Sequence, residues 1–105
     1  NKVILERGIH MKTLTMIEMA GCPYCANARR AIQALQAEGG AYADVPVEYI
    51  DENAEPERTK PYAGMYYYVP SLFVGGEKYY EAQPGHDYET VFAAVRVAFD
   101  AITKS

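Results

Sequence analysis

Two cysteines stand three positions apart in the run Gly21-Cys22-Pro23-Tyr24-Cys25. Two cysteines scattered over a chain of this length would take that spacing roughly one time in fifty. Across one helical turn, such a pair can bring its Cα atoms to the ~5.5 Å that a disulfide prefers. The chemistry this suits is thiol–disulfide exchange. Cys22 attacks a substrate disulfide to form a mixed disulfide, and Cys25 then resolves it and releases the reduced substrate.

The surroundings of the pair favour that use. Pro23 is suited to the first position of a helix, where a missing N–H costs little and φ is already helical. Cys22 then becomes the N-cap, with the free N–H groups and the positive dipole end of the helix directed at its sulfur. A cysteine at such a helix start has its thiol pKa lowered from about 8.5 into a range of ~3.5–7.5. Cys25, inside the first turn, is expected to be the more shielded of the two. A closed zinc site needs four ligands, and beyond the thiols the chain offers only His10 and His86 as soft candidates. An inert core pair fits poorly with a helix start, which is rarely fully buried.

The elements that position the pair follow from hydrophobic periodicity. Met11–Met19 reads as a strand buried on both faces, with Leu14 and Met16 on one side and Ile17 and Met19 on the other. Pro23–Glu38 carries Ala28, Ala31, Ile32 and Leu35 at helical spacing and closes at Gly39-Gly40. Val45–Ile50 reads as a second strand. Asp51–Gly64 is polar, and Pro56 and Pro61 limit it to a short helix or two turns. Pro70–Val74 and Lys78–Ala82 flank the hairpin signal Gly75-Gly76-Glu77, and Asp87–Ile102 is a final amphipathic helix. The first two strands flank a crossover helix and should be parallel and right-handed, and the last two must be antiparallel. One mixed four-stranded sheet with helices on both faces satisfies this order, an α/β layout of the thioredoxin type.

At this point the sequence resembles glutaredoxins and, more broadly, the thioredoxin family. Cys22-Pro23-Tyr24-Cys25 matches the dithiol glutaredoxin motif residue for residue. Tyr49-Ile50-Asp51 is similar to the family's second strand, and Val69-Pro70-Ser71-Leu72-Phe73-Val74 to its Val-Pro segment, across residues 11–103. The resemblance implies a cis bond before Pro70 that leaves the backbone of Val69 beside Cys22, where an extended peptide or glutathione could pair as an added strand. It implies a substrate-binding surface of Tyr68, Val69 and Pro70. Gly85 and Asp87 would receive the γ-glutamyl group of glutathione, and Arg58 and Lys60 its glycine carboxylate. The chain also departs from the pattern. Glu18-Met19-Ala20-Gly21 offers an acid where glutaredoxins carry a base, and Tyr68 stands where a threonine is expected.

Composition sets the outer limits. The chain has 105 residues, half of them hydrophobic, and a formal net charge of −4. That suits a single domain with one core and gives no electrostatic case for nucleic acid or an anionic membrane. No apolar run approaches the roughly 20 residues that cross a bilayer. Residues 1–10 read as an extension without function, and residues 11–105 as the domain. Without a secretory core in the first ten residues, the expected location is the cytoplasm, where a cysteine pair is reactive rather than structural. Ten tyrosines are present. Tyr66-Tyr67-Tyr68 reads as an aromatic stretch packed on the core with hydroxyls in water, with an aromatic rim for a peptide as the other reading. Tyr24 and Tyr68 are expected beside Cys22. Arg29, Arg30 and His86 read as solvated surface groups.

The resulting expectation is a monomeric thiol–disulfide oxidoreductase acting on protein or glutathione mixed disulfides. It holds no cofactor within the fold and draws electrons from glutathione and its reductase, or from a thioredoxin-type reductase. The alternatives are an iron–sulfur or metal-binding module of glutaredoxin type and a redox-inactive peptide-binding domain.

Overall fold

The computed structural model describes residues 11–104, so the reading of residues 1–10 as an extension lies outside the described residues. β1 (Leu14–Glu18) is buried on both faces, as expected from its mostly apolar run. It pairs in parallel with β2 (Val47–Asp51), in a register running from Leu14 opposite Val47 to Glu18 opposite Asp51. β2 begins later than the sequence suggests, because Pro46 has no N–H to donate; its carbonyl instead receives the N–H of Leu14 at 2.9 Å. β3 (Ser71–Val74) runs antiparallel to β1, and β4 (Glu77–Glu81) antiparallel to β3. The sheet order is β2-β1-β3-β4, which places β1 and β3 at the centre.

The β3–β4 hairpin closes through Gly75 and Gly76, at φ of 58° and 83°. Both central residues of this turn are left-handed, the conformation that matches the twist of the flanking strands and that glycine adopts without strain. A register shift between Leu72 and Phe73 lets Tyr80 face Leu72 while Lys78 faces Phe73.

Two long helices cover one face of the sheet. α1 (Pro23–Ala37) directs Ala28, Ala31, Ile32 and Leu35 inward, and α2 (Tyr88–Thr103) directs Val91, Val95, Ala98, Phe99 and Ile102. These side chains meet Leu14, Met16, Leu72 and Val74 in one core. The opposite face carries Ile17 and Phe73, both fully buried. It is covered not by an α-helix but by a 3-10 stretch, Pro56–Tyr62, and the loop after it. The rings of Tyr62 and Tyr66 lie 4.6 and 6.4 Å from that of Phe73. Pro61 inside this stretch removes a backbone donor, which keeps it from becoming the longer helix that a two-sided arrangement would call for.

A second 3-10 turn, Gly40–Asp44, follows α1 and has no counterpart in the sequence reading. It places the Tyr42 ring edge-on against Phe99, with centroids 5.4 Å apart. Neither described helix is long and apolar enough to cross a membrane.

Candidate functional site

The pair of cysteines sits where β1 gives way to α1. Gly21 makes the turn at φ 77°, a conformation that any larger residue would hold only under strain. Cys22 is extended (φ −91°, ψ 115°) and is the N-cap of α1, its Sγ accepting the N–H of Cys25 at 3.1 Å. Pro23 takes the first helical position, and the first turn holds no acidic residue that would compete with the sulfur for the positive helix end.

The two thiols are free and unequal. Cys22 is half-buried, whereas Cys25 is 1% exposed and belongs to the core between β1 and the two helices. Burial pushes the Cys25 thiol up from its ordinary 9.0 to about 12, with a hydrogen bond to Cys22 adding to the rise and a bond to the Met19 backbone opposing it. At neutral pH Cys25 therefore stays a thiol in the resting protein.

The loop before β3 faces the pair. The Val69–Pro70 bond is cis, and the Cys22 thiol donates to the Val69 carbonyl at 3.9 Å. Pro70 is fully buried, and its carbonyl receives the N–H of Ala82 at 3.0 Å. The N–H of Val69 has no partner among the described residues. Glu81 holds this loop in place, since one of its carboxylate oxygens accepts the N–H groups of both Tyr67 and Tyr68 at 2.7 Å while the other accepts Lys78 at 2.6 Å. Burial alone would raise the Glu81 carboxyl, but Lys78 and the two N–H donors outweigh it and hold it below the ordinary value.

Two clefts flank Cys22. The larger, of about 530 Å³, is lined by Cys22, Glu18, Met19, Arg29 and Asp51. Arg29 is not a solvated helix charge, as its sequence position suggests. It forms an ion pair with Glu18, and its guanidinium lies 5.8 Å from the centre of the Tyr49 ring. Asp51 accepts the N–H groups of Asn53 and Ala54 at 2.9 and 3.0 Å. With the Ala54 bond first, these hold its carboxyl below the ordinary carboxylate range. The smaller cleft, of about 130 Å³, is lined by Tyr24, Tyr68, Val69, Ala82, Gln83 and Pro84.

The structure thus brings Cys22, Pro23, Tyr24, Cys25, Tyr68, Val69 and Pro70 to one end of the sheet. Gly85 joins them through Tyr24, whose hydroxyl accepts the Gly85 N–H at 2.9 Å. Asp87 caps α2, its carboxylate accepting the N–H and hydroxyl of Thr90 at 3.0 and 2.8 Å. Arg58 and Lys60 lie in the 3-10 stretch instead. There the Arg58 guanidinium is held by Glu48 and Glu55, and Glu48 also accepts the Thr15 hydroxyl. Arg30 lies over the Tyr88 ring at 4.6 Å rather than in open water. His86 stacks on Tyr80, whose hydroxyl meets Nδ1 at 2.8 Å. Tyr66 packs on Phe73 as expected, but Tyr67 turns outward and is 82% exposed.

Glu81 carries no signal in the sequence, and the parts of Arg29, Asp51 and Tyr67 at the site go beyond the readings given to them there; the local hint for Asp51 is Asp51-Glu52-Asn53, which favours a side-chain-capped turn. Among the described residues no group of three His, Cys, Asp or Glu side chains is placed to hold a metal ion. No protein-family model matches the chain, and no curated protein matches it.

Proposed function

We propose that this protein is a thiol–disulfide oxidoreductase of thioredoxin fold and glutaredoxin type, with Cys22 as the attacking thiol and Cys25 as the resolving one. The observation that carries the reading is the asymmetry of the pair. One sulfur is half-buried at a helix start with no acidic residue in its first turn, and the other is fully buried one turn behind it with its proton held on.

The exchange balances without a bound cofactor. The Cys22 thiolate attacks a substrate disulfide R–S–S–R′, forms Cys22–S–S–R and expels R′S⁻, which takes up a proton. Cys25 then loses its proton and attacks the Cys22 sulfur, releasing RS⁻ and leaving a Cys22–Cys25 disulfide. Two electrons have passed from the protein dithiol to the substrate. Glutathione with its reductase, or a thioredoxin-type reductase, would return them. The Val69 carbonyl and the unpartnered Val69 N–H offer an extended substrate backbone one acceptor and one donor beside the reacting sulfur.

The test is a pair of serine substitutions. Cys22→Ser is expected to reduce disulfide reduction to the uncatalysed background. Cys25→Ser is expected to accumulate a mixed disulfide on Cys22, visible by intact mass and reversed by dithiothreitol. Full dithiol turnover by the Cys25→Ser protein would reverse the assigned roles. A wild-type pair that never oxidises intramolecularly would end the enzymatic reading.

A further inference from the structure

Four of the six large apolar side chains exposed among the described residues, Met19, Tyr24, Tyr67 and Tyr68, belong to the segments around the reactive sulfur. Met19 and Tyr24 stand on either side of Cys22 in the chain, each 36% exposed, and Tyr68 is 42% exposed across the smaller cleft from Tyr24. Tyr67 extends the row, its ring meeting that of Tyr68 edge-on at 4.9 Å. A tyrosine left 82% exposed forgoes the burial that the other aromatic rings obtain, which points to a surface that is covered in use. The row is also held rigid from behind, because Glu81 binds the N–H groups of Tyr67 and Tyr68.

The cleft on the Met19 side is left with one unpaired charge, that of Asp51, once internal pairs are set aside. Arg29 is matched by Glu18, and Lys78 by Glu81. Asp51, on the Met19 side, is left without a cation and bonded only to backbone N–H groups. Asp87, next to Gly85 on the Tyr24 side, bonds to the Thr90 N–H and hydroxyl and lies beside His86. Arg58, which could have received a substrate carboxylate, is held by Glu48 and Glu55.

From this surface we infer that the substrate is an extended polypeptide disulfide with apolar and basic residues flanking its cysteine, rather than a glutathione mixed disulfide. The inference rests on the proposed oxidoreductase activity and gives it a substrate class. An apolar side chain beside the substrate cysteine fills the cleft between Tyr24 and Tyr68, while a lysine or arginine on the other side lies along the Met19 cleft towards Asp51. Glutathione brings two carboxylates and no apolar side chain. The one Lys or Arg that lines either cleft, Arg29, is already paired with Glu18, and glutathione has no use for the tyrosine row.

The experiment uses the reduced full chain and four mixed disulfides with 5-thio-2-nitrobenzoate. Three are peptides with the same apolar residue beside one cysteine, flanked by lysine, serine or glutamate; the fourth is glutathione. The rate of nitrothiolate release should fall in the order lysine, serine, glutamate, with glutathione no faster than the glutamate peptide. The spread should be roughly tenfold at low ionic strength and should shrink in high salt. Asp51→Asn keeps an oxygen to accept the Asn53 and Ala54 N–H groups but loses the charge, and should reduce the lysine-to-glutamate ratio about threefold. Tyr67→Ala, at a site too exposed to unfold the chain, should slow the three peptides by a larger factor than it slows glutathione. Equal rates for all four probes, or glutathione or the glutamate peptide fastest, would overturn the substrate class while the oxidoreductase stands. No release above the Cys22→Ser background from any probe would overturn the oxidoreductase itself.

Discussion

α1 and α2 each open with a side chain that accepts a hydrogen bond from the N–H three residues on. In α1 the acceptor is the Cys22 sulfur, 3.1 Å from the N of Cys25; in α2 it is the Asp87 carboxylate, 3.0 Å from the N of Thr90. α2 adds Glu89 in its first turn, so its positive end is met by two carboxylates, whereas the first turn of α1 has none. The same local electrostatics is therefore directed to different ends. A carboxylate is ionised whatever the helix does, and capping converts the dipole into stability. In α1 the same positive end is left to the Cys22 sulfur, the atom proposed to attack.

The largest effect that would break or sharpen this contrast lies in the second cysteine of α1. With the Cys25 thiol pushed up to about 12 from an ordinary 9.0, its thiolate fraction near neutral pH falls about a thousandfold below that of a free thiol. Iodoacetamide at neutral pH should therefore modify Cys22 and spare Cys25 in the folded protein, read by peptide mass mapping. The same shift acts on stability. Above about pH 9 the unfolded chain releases this proton while the folded chain keeps it, so folding weakens as pH rises from about 9 towards 12. Cys25→Ala should show a shallower alkaline loss than wild type when urea midpoints are compared across that range. Equal labelling of both cysteines would remove the asymmetry on which the assigned roles depend.

Next in size is the cap of α2. Asp87→Ala deletes both bonds to Thr90 and one of the two charges at the helix start. A loss of about 1 kcal/mol in urea unfolding is expected. Asp87→Asn should lose only a few tenths of that, because the amide oxygen still accepts the Thr90 N–H. If the alanine variant proves as stable as wild type, α2 is held by its packing alone and the parallel with α1 fails.

Much of this was legible in the chain because it is local. The spacing of Cys22 and Cys25, the proline after the first and the periodicity of both helices are properties of short windows, and so is the Gly75-Gly76 turn. The parallel first pair and the antiparallel last pair of strands followed from which connections are long and which are tight, whereas their order in the sheet did not. What could not be read depends on which side chains the fold brings together across distance. Arg29 finds Glu18 because α1 turns back over the end of β1. Glu81 reaches Tyr67 and Tyr68 because β4 runs beside the loop that leads into β3. Arg58 is spent on Glu48 and Glu55, a result of where the 3-10 stretch crosses β2. Tyr66 and Tyr67 are neighbours of one residue type, and only the direction of each side chain separates a core ring from an exposed one.

The smallest of the expected effects is the most direct test of the contrast between the two helix starts. Ala26 is exposed on α1, lines the cleft beside Cys22, and its N–H bonds to the Cys22 carbonyl at 3.0 Å. Ala26→Glu puts a carboxylate four residues after the cap of α1, where α2 has Glu89 two residues after its own. Charges near a helix end are worth roughly 0.3–1 kcal/mol, so the added carboxylate should weaken by about that much the pull of the α1 start on negative charge at Cys22. Iodoacetamide should then react about threefold more slowly at neutral pH. Ala26→Lys should move the rate by a similar factor the other way, and both changes should shrink in high salt. A purely steric effect of a longer side chain would slow both variants alike and ignore salt. Opposite signs that fade together with added salt would trace the reactivity of Cys22 to the field at the start of α1.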